Sequence, residues 1–309
     1  MFSYLNKNLG TILFNNPSTF NYIFFDQIYH FFVLKKKEAD DEVLDFHQNG
    51  YVKIKDQSLE LVDFINENII SSQEKHIKKS LLKHQFVVPE NCREKILQFI
   101  NKDYGNLINK LEKYYNNRIA ITEFQIKRNF PIIENNNYFK KRTRDKAKEP
   151  YSNYYHVDYY VGTYFKMFIN LQKVNEDNGP LNIYDIQSTK KFVKENGYKN
   201  RNNYIVRDFK DNLYVNTGNK GQTVIAKTTK CLHRAGNVKN GKRDIIVITF
   251  GTIPKKLKNN FSDNHLNYYG KQNPDGLWTH NGKFTKLSKP KSFRLTVKLV
   301  YQLIKSKII

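Results

Sequence analysis

The stretch Asn153–Leu171, NYYHVDYYVGTYFKMFINL, sets His156 and Asp158 two residues apart in a run of strand-forming residues. On a strand, side chains at i and i+2 point to the same face, so this imidazole and this carboxylate can grip one ion. Downstream, KCLHRAGNVKNGKR (Lys230–Arg243) carries His233, with Arg243 ten residues beyond it. Two imidazoles and a carboxylate on one face of an octahedral ion leave the opposite face open, an arrangement that suits non-haem Fe(II). The chain has eight histidines, and other readings stand beside this one. His156 also fits an aromatic cluster with Tyr154, Tyr155 and Tyr159, and His233 fits a turn.

Arg243 favours the metal reading. Asn240–Gly241 suits a tight hairpin, which places His233 and Arg243 on adjacent antiparallel strands. Along RDIIVITF, the residues Arg243, Ile245, Val247 and Thr249 share one face, so a guanidinium enters an otherwise apolar row. A buried Arg is best met by a bidentate carboxylate. A dicarboxylic cosubstrate can chelate the metal at one end and reach Arg243 at the other. The alternative is an Arg at the strand mouth, exposed or paired with a nearby acid.

Outward from this core, ITEFQIKRNF, KMFINLQKV, GPLNIYDI, TVIAKTT, CLHRAG and RDIIVITFGTI read as strands separated by Asn, Gly and Pro turns. Upstream, DEVLDFHQN reads as a helix ended by Gly50, Tyr51–Ile54 as a strand, and the following segment as an amphipathic helix. A second apolar stripe runs through Ile96, Phe99, Ile100, Leu107, Ile108, Leu111 and Tyr115. Helices first and then strands predict an α+β fold with a β-sandwich or barrel holding the site. Glu134–Pro150 is polar and charged, as in an exposed loop.

The ends differ from the middle. Residues 1–37 form an amphipathic segment whose richest run, Phe20–Leu34, is interrupted by Asp26 and His30 and followed by three lysines. It is too short and too broken to span a bilayer and lacks the layout of a signal peptide. A helix packed on the domain, or one lying at a membrane surface, fits it. Residues 38–255 form the catalytic domain, and 256–309 form a basic C-terminal extension on or beside the core. That extension ends in FRLTVKLVYQLIKSKII, which raises the same membrane-surface question.

The 309 residues carry a formal charge of +23, with 52 Lys and Arg against 29 Asp and Glu. Such a charge points to a nucleic-acid or anionic partner, or to an AT-rich coding sequence with abundant Lys, Asn, Ile, Tyr and Phe. With 21 Tyr and 22 Phe the chain has ample material for a packed core, which argues against disorder. Two cysteines, Cys92 and Cys231, exclude a disulfide framework and suggest a reduced, cytoplasmic setting. Cys231 could share a strand face with His233, but a buried structural role suits it better.

FHQNGYVKI (from Phe46), YHVD (from Tyr155), NEDNGPLNIY (from Asn175) and HRAGNVKNGKR (from His233) resemble the phytanoyl-CoA dioxygenase family of Fe(II)- and 2-oxoglutarate-dependent oxygenases. The likeness runs from about Asp45 to Thr252. It implies a double-stranded β-helix (jelly-roll, cupin-like) core with the N-terminal helices packed on one sheet. It further implies iron held by His156, Asp158 and His233, and 2-oxoglutarate held at its far carboxylate by Arg243. In such enzymes O2 and 2-oxoglutarate serve to hydroxylate an unactivated C–H bond, leaving succinate. Because Asp158 is present, hydroxylation is expected over halogenation. A second basic contact to the cosubstrate is expected from Lys127 or Arg128, between which strand alternation does not choose. Two departures stand out. Ala235 replaces a serine common two residues after the distal histidine, and Tyr184-Asp185-Ile186-Gln187 replaces a Pro-Gly-Ser-His segment. The expected substrate is a small molecule, anionic or saccharide-like to suit the basic, tyrosine-rich site. Alternatives are a nucleic-acid-modifying oxygenase and a non-catalytic jelly-roll or membrane-peripheral scaffold.

Overall fold

Asp40 starts the first helix by accepting a hydrogen bond from Val43 N at 3.2 Å. Gly50, at φ +84°, ends it with its N–H on Phe46 O, the left-handed stop that glycine provides without penalty. In the computed structural model, residues 40–54, 58–77, 83–115, 118–131, 151–158, 165–196, 212–253 and 278–279 are described. The N-terminal segment 1–37, the loop 134–150 and all of the C-terminal extension except Trp278–Thr279 lie outside them.

The helices are α1 (Asp41–Asn49), α2 (Leu59–Ile65, running on through a π turn over Asn66–Ile70), α3 (Glu90–Tyr115) and α4 (Ile186–Asn196). The strands are β1 (Tyr51–Ile54), β2 (Lys83–Phe86), β3 (Arg118–Asn129), β4 (Phe165–Asn170), β5 (Leu181–Tyr184), β6 (Leu213–Val215), β7 (Thr223–Ala226), β8 (His233–Ala235), β9 (Arg243–Ile253) and β10 (Trp278–Thr279). A seven-stranded sheet has the order β1-β7-β4-β9-β3-β10, with β2 also on β3; a three-stranded sheet has the order β6-β5-β8. Every pairing among the named strands is antiparallel. This is the mixed α and β layout expected from the sequence.

Period-two alternation divides the large sheet into two environments. One face presents Ile119, Ile121, Phe124, Ile126, Phe165, Met167, Ile169, Ile246, Ile248 and Phe250, all buried against the helices. From α3, Ile96, Ile100, Leu107, Ile108 and Leu111 meet this face; each such side chain, once buried, contributes about 1.5–3 kcal/mol. The opposite face packs Phe168, Val224, Ala226, Ile245 and Val247 against Leu181, Ile183 and Tyr214 of the small sheet. The space between the two sheets therefore holds both an apolar cluster and the polar residues of the site.

Three local features were not expected. Tyr154–Asp158 does not form a regular strand; within it His156 makes one isolated bridge, to His233. The strand TVIAKTT stops at Ala226, because Lys227–Lys230 turn back with Lys230 N and Cys231 N on Lys227 O. The Tyr184-Asp185-Ile186-Gln187 departure begins α4, where the Asp185 carboxylate accepts from Ser188 N at 2.6 Å. That helix covers the outer side of the small sheet through Phe192, which packs with Tyr155, Tyr184 and Leu232. In the Asn178-Gly179-Pro180 turn, Gly179 has φ +67°, and a Cβ there would lie 2.4 Å from Gly236 O. The backbone approach requires glycine.

The turn after β7 buries Lys227 to 2 % exposure. Its Nζ lies 3.0 Å from His47 Nδ1 and 4.8 Å above the Phe46 ring, and among the described residues no carboxylate pairs with it. Burial, then repulsion from Lys230, pushes the ammonium down to about 7. Burial and Lys227 likewise push His47 down to about 4. Between about pH 7 and the ordinary lysine value the unfolded chain binds a proton that the folded chain does not, so stability rises with pH across that window. Lys227→Met is expected to stabilise the fold at pH 7 by about 2–4 kcal/mol. The gain should shrink toward pH 10 in paired denaturation curves; equal gains at both pH values would contradict it.

Candidate metal centre

His156 and His233 face each other across the isolated bridge, with His156 N donating to His233 O at 3.1 Å and His233 N to His156 O at 3.0 Å. Each imidazole is oriented by its own backbone. His156 Nδ1 lies 2.7 Å from Tyr154 O, and His233 Nδ1 lies 3.0 Å from Cys231 O. A carbonyl only accepts, so each Nδ1 carries the proton and each Nε2 presents a lone pair, the tautomer a metal needs.

Asp158 is set two residues beyond His156 by its own N–H on Thr228 O at 2.8 Å. Its Oδ1 is 3.9 Å from His156 Nε2 and its Oδ2 is 3.7 Å from His233 Nε2. These separations exceed hydrogen-bond length. Neighbouring ligands of an octahedral ion at about 2.1 Å stand about 3 Å apart, so a small inward movement closes the set on an ion. The three candidate ligand atoms lie within 4.8 Å of one another, and all three residues are buried. The donor set and the imidazole tautomers fit a divalent transition metal.

Lys166 on β4 donates to Asp158 Oδ2 at 2.7 Å. Burial alone would raise the Asp158 carboxyl, but Lys166 holds it below the usual carboxylate range. Lys166 was not singled out from the sequence, although it is the only charge in the apolar strand FKMFIN. It lies opposite Thr249 of β9 and Ala226 of β7, on the inner face.

Arg243 starts β9 and is 3 % exposed. With the Asn129 amide oriented to satisfy both groups, the Asn129 oxygen accepts from Arg243 Nε at 3.3 Å and Nη2 at 2.9 Å. Nη1 is buried without a hydrogen-bond partner among the described residues. Burial pushes the guanidinium down to about 10, and no carboxylate among the described residues pairs with it. Of the two neighbours on β3, Lys127 lies opposite Ile245 and so shares the Arg243 face. Burial, then the nearby Lys83 and Lys166, pushes its ammonium well down. Lys83, opposite Asn129 on β2, adds a third cation to this end of the inner face.

Arg128 points the other way. Its Nε and Nη2 each donate to the Asp244 carboxylate at 2.7 Å, and its Nη1 donates to Glu74 at 2.6 Å. The guanidinium lies 5.3 Å from the Phe86 ring. Arg128 is thus committed to a structural network that ties β3, β9 and the helical layer together. Cys231 is likewise outside the ligand group. Its thiol donates to Asn49 O at 3.8 Å and burial pushes it up to about 12, while its carbonyl orients His233. Ala235, two residues past His233, offers no hydroxyl.

No protein-family model and no curated protein matches the chain. Among solved structures, HygX from Streptomyces hygroscopicus with nickel and 2-oxoglutarate bound aligns at TM-score 0.45 and 11% identity, over 71% of this chain and 88% of HygX. EctD from S. alaskensis with 2-oxoglutarate and 5-hydroxyectoine aligns at 0.40 and 12%, over 71% and 80% of the two chains. The non-heme alpha ketoglutarate dependent epimerase SnoN from nogalamycin biosynthesis aligns at 0.40 and 9%, over 68% and 80%. Likenesses this distant bear no weight on the chemistry, which rests on the residues themselves. No helix among the described residues is long and apolar enough to cross a membrane.

Proposed function

We propose that this chain is an Fe(II)- and 2-oxoglutarate-dependent dioxygenase that hydroxylates an unactivated C–H bond of a small metabolite, lipid or saccharide-linked substrate. The observation that carries this reading is the convergence of His156, Asp158 and His233 within 4.8 Å. It is supported by a buried guanidinium, Arg243, on the same sheet face as Lys166, with one donor unpaired. The two packed sheets are read as the halves of a double-stranded β-helix, in keeping with the motif likeness to phytanoyl-CoA dioxygenases.

When bound, ferrous ion supplies the site for O2 and for the keto-acid end of 2-oxoglutarate, whose loss of CO2 to give succinate drives the hydroxylation. His156, Asp158 and His233 hold the ion through two Nε2 atoms and a carboxylate oxygen. Arg243 binds the far carboxylate with the fork that its Nη1 and Nη2 present, and Lys127 adds a second cation from the neighbouring strand. Ile245, Val247 and Phe168, buried on the same inner face, exclude water along the diacid. Asp158 as a ligand supports hydroxylation, because halogenation needs its place for halide.

Anaerobic addition of Fe(II) and then 2-oxoglutarate to the purified protein is expected to give the weak visible charge-transfer band of a keto-acid chelate. Succinate should form once air is admitted. Bound iron with no such band, and no 2-oxoglutarate consumption in air, would remove the proposal.

A further inference from the structure

Strand β2 borders β3 at the end of the large sheet where Arg243 stands. It pairs with β3 as Lys83 to Asn129, His84 to Arg128, Gln85 to Lys127 and Phe86 to Ile126. Cross-strand partners share a face, so Gln85 stands with Lys127 and Arg243 on the inner side, while Phe86 is buried on the helix side. The strand is tied down beyond its last residue as well. There the Gln73 amide spans Val87, donating from Nε2 to Val87 O at 2.6 Å and accepting at Oε1 from Val87 N at 3.0 Å.

Two donor atoms on this inner face, Arg243 Nη1 and Gln85 Nε2, are buried with no hydrogen-bond partner among the described residues. Burying a donor without an acceptor is costly, and each such atom calls for an explanation. The two are neighbours in the sheet. Arg243 leans over β3 to meet Asn129, and β2 is the next strand, about 4.8 Å further on. Lys127, opposite Gln85, is the cation between them. An ionised carboxylate only accepts, through two oxygens with about four lone-pair sites. One such group set between Arg243 and Lys127 meets both orphaned donors at once.

We infer that Gln85 is a cosubstrate-binding residue, whose side-chain amide donates to the far carboxylate of 2-oxoglutarate beside Arg243 and Lys127. The inference deepens the oxygenase reading proposed above and rests on it. It brings the edge strand β2 into the site and gives the diacid a neutral donor along with two cations. A keto acid without a far carboxylate leaves that amide unmet, so Gln85 contributes to selecting a diacid over a monoacid.

The test is binding of 2-oxoglutarate to Mn(II)-loaded, full-length protein, followed through the bound water that it displaces, by water-proton relaxation. Parent and Gln85→Leu are compared. Each is also titrated with 2-oxopentanoate, which keeps the keto-acid end and carries a methyl group in place of the far carboxylate. Gln85→Leu is expected to bind 2-oxoglutarate about tenfold or more weakly. It should bind 2-oxopentanoate as the parent does and melt at the parent's temperature or above it. Equal 2-oxoglutarate affinity in the two proteins would overturn the inference, as would an equal loss for both keto acids. If Gln85→Leu does not fold, Gln85→Met, unbranched and close to glutamine in length, gives the same reading. A metal-loaded parent that does not bind 2-oxoglutarate would remove the oxygenase reading and this inference together, whereas failure of the inference alone leaves binding by the parent intact.

Discussion

Asp158→Ala is expected to lower affinity for a divalent metal by roughly 10²–10³-fold or more and to abolish 2-oxoglutarate turnover. Two effects add. The site loses its one anionic ligand, and Lys166 loses the carboxylate that it meets at 2.7 Å. Without the carboxylate, the Lys166 ammonium stands as a cation beside the position of a divalent ion, and like charges repel. A calorimetric titration with Ni(II) measures the loss directly, with circular dichroism to confirm that the variant is folded. Affinity within a few-fold of the parent would mean that His156 and His233 are neighbours for structural reasons alone.

Arg243→Met is expected to move stability and cosubstrate binding in opposite directions. The guanidinium is 3 % exposed, its Nη1 has no partner among the described residues, and burial already pushes it down to about 10. Replacing it with an uncharged side chain of similar length removes a desolvation cost, so the melting temperature should rise, by the equivalent of about 1–3 kcal/mol. The same change removes the fork that would meet the far carboxylate. The expected loss of 2-oxoglutarate affinity is about 2–5 kcal/mol, or at least thirtyfold. Function held at the expense of stability is common at binding sites. If the variant were less stable and bound 2-oxoglutarate normally, Arg243 would be a structural residue and the cosubstrate would lie elsewhere.

Part of the candidate site was legible from short-range patterns. The two-residue spacing anticipated the grouping of His156 with Asp158, although their segment forms no regular strand, whereas β8 and β9 do not pair as the hairpin expected at Asn240–Gly241, since β8 lies in the small sheet and β9 in the large one. Lys127 and Arg128 were not separable, and the reason is local. A register shift between Ile121 and Glu123 changes which parity faces the helices, so Ile119 and Ile121 share a face with Phe124 and Ile126. Alternation counted along the unbroken sequence therefore misleads at residue 127. Strand β2, KHQF, escaped notice because three of its four residues are polar, and its burial pattern runs from exposed Lys83 to buried Phe86. Helix α4 escaped for a similar reason. Its outward side is rich in lysine, and few apolar residues, chiefly Phe192 and Val193, tie it to the sheet. Lys166 was visible as a lone charge in an apolar strand, yet only the folded chain shows that Asp158 is what it reaches.

The histidine orientation has a consequence for how this protein can change over time. Both rings are steered by peptide oxygens, those of residues 154 and 231, which every amino acid possesses. Mutations that recolour the surrounding pocket can therefore alter what is admitted there while leaving the proton arrangement of the two imidazoles as it is, provided the main-chain path survives. Evolution of new selectivity and retention of the metal grip are, in this architecture, separable tasks.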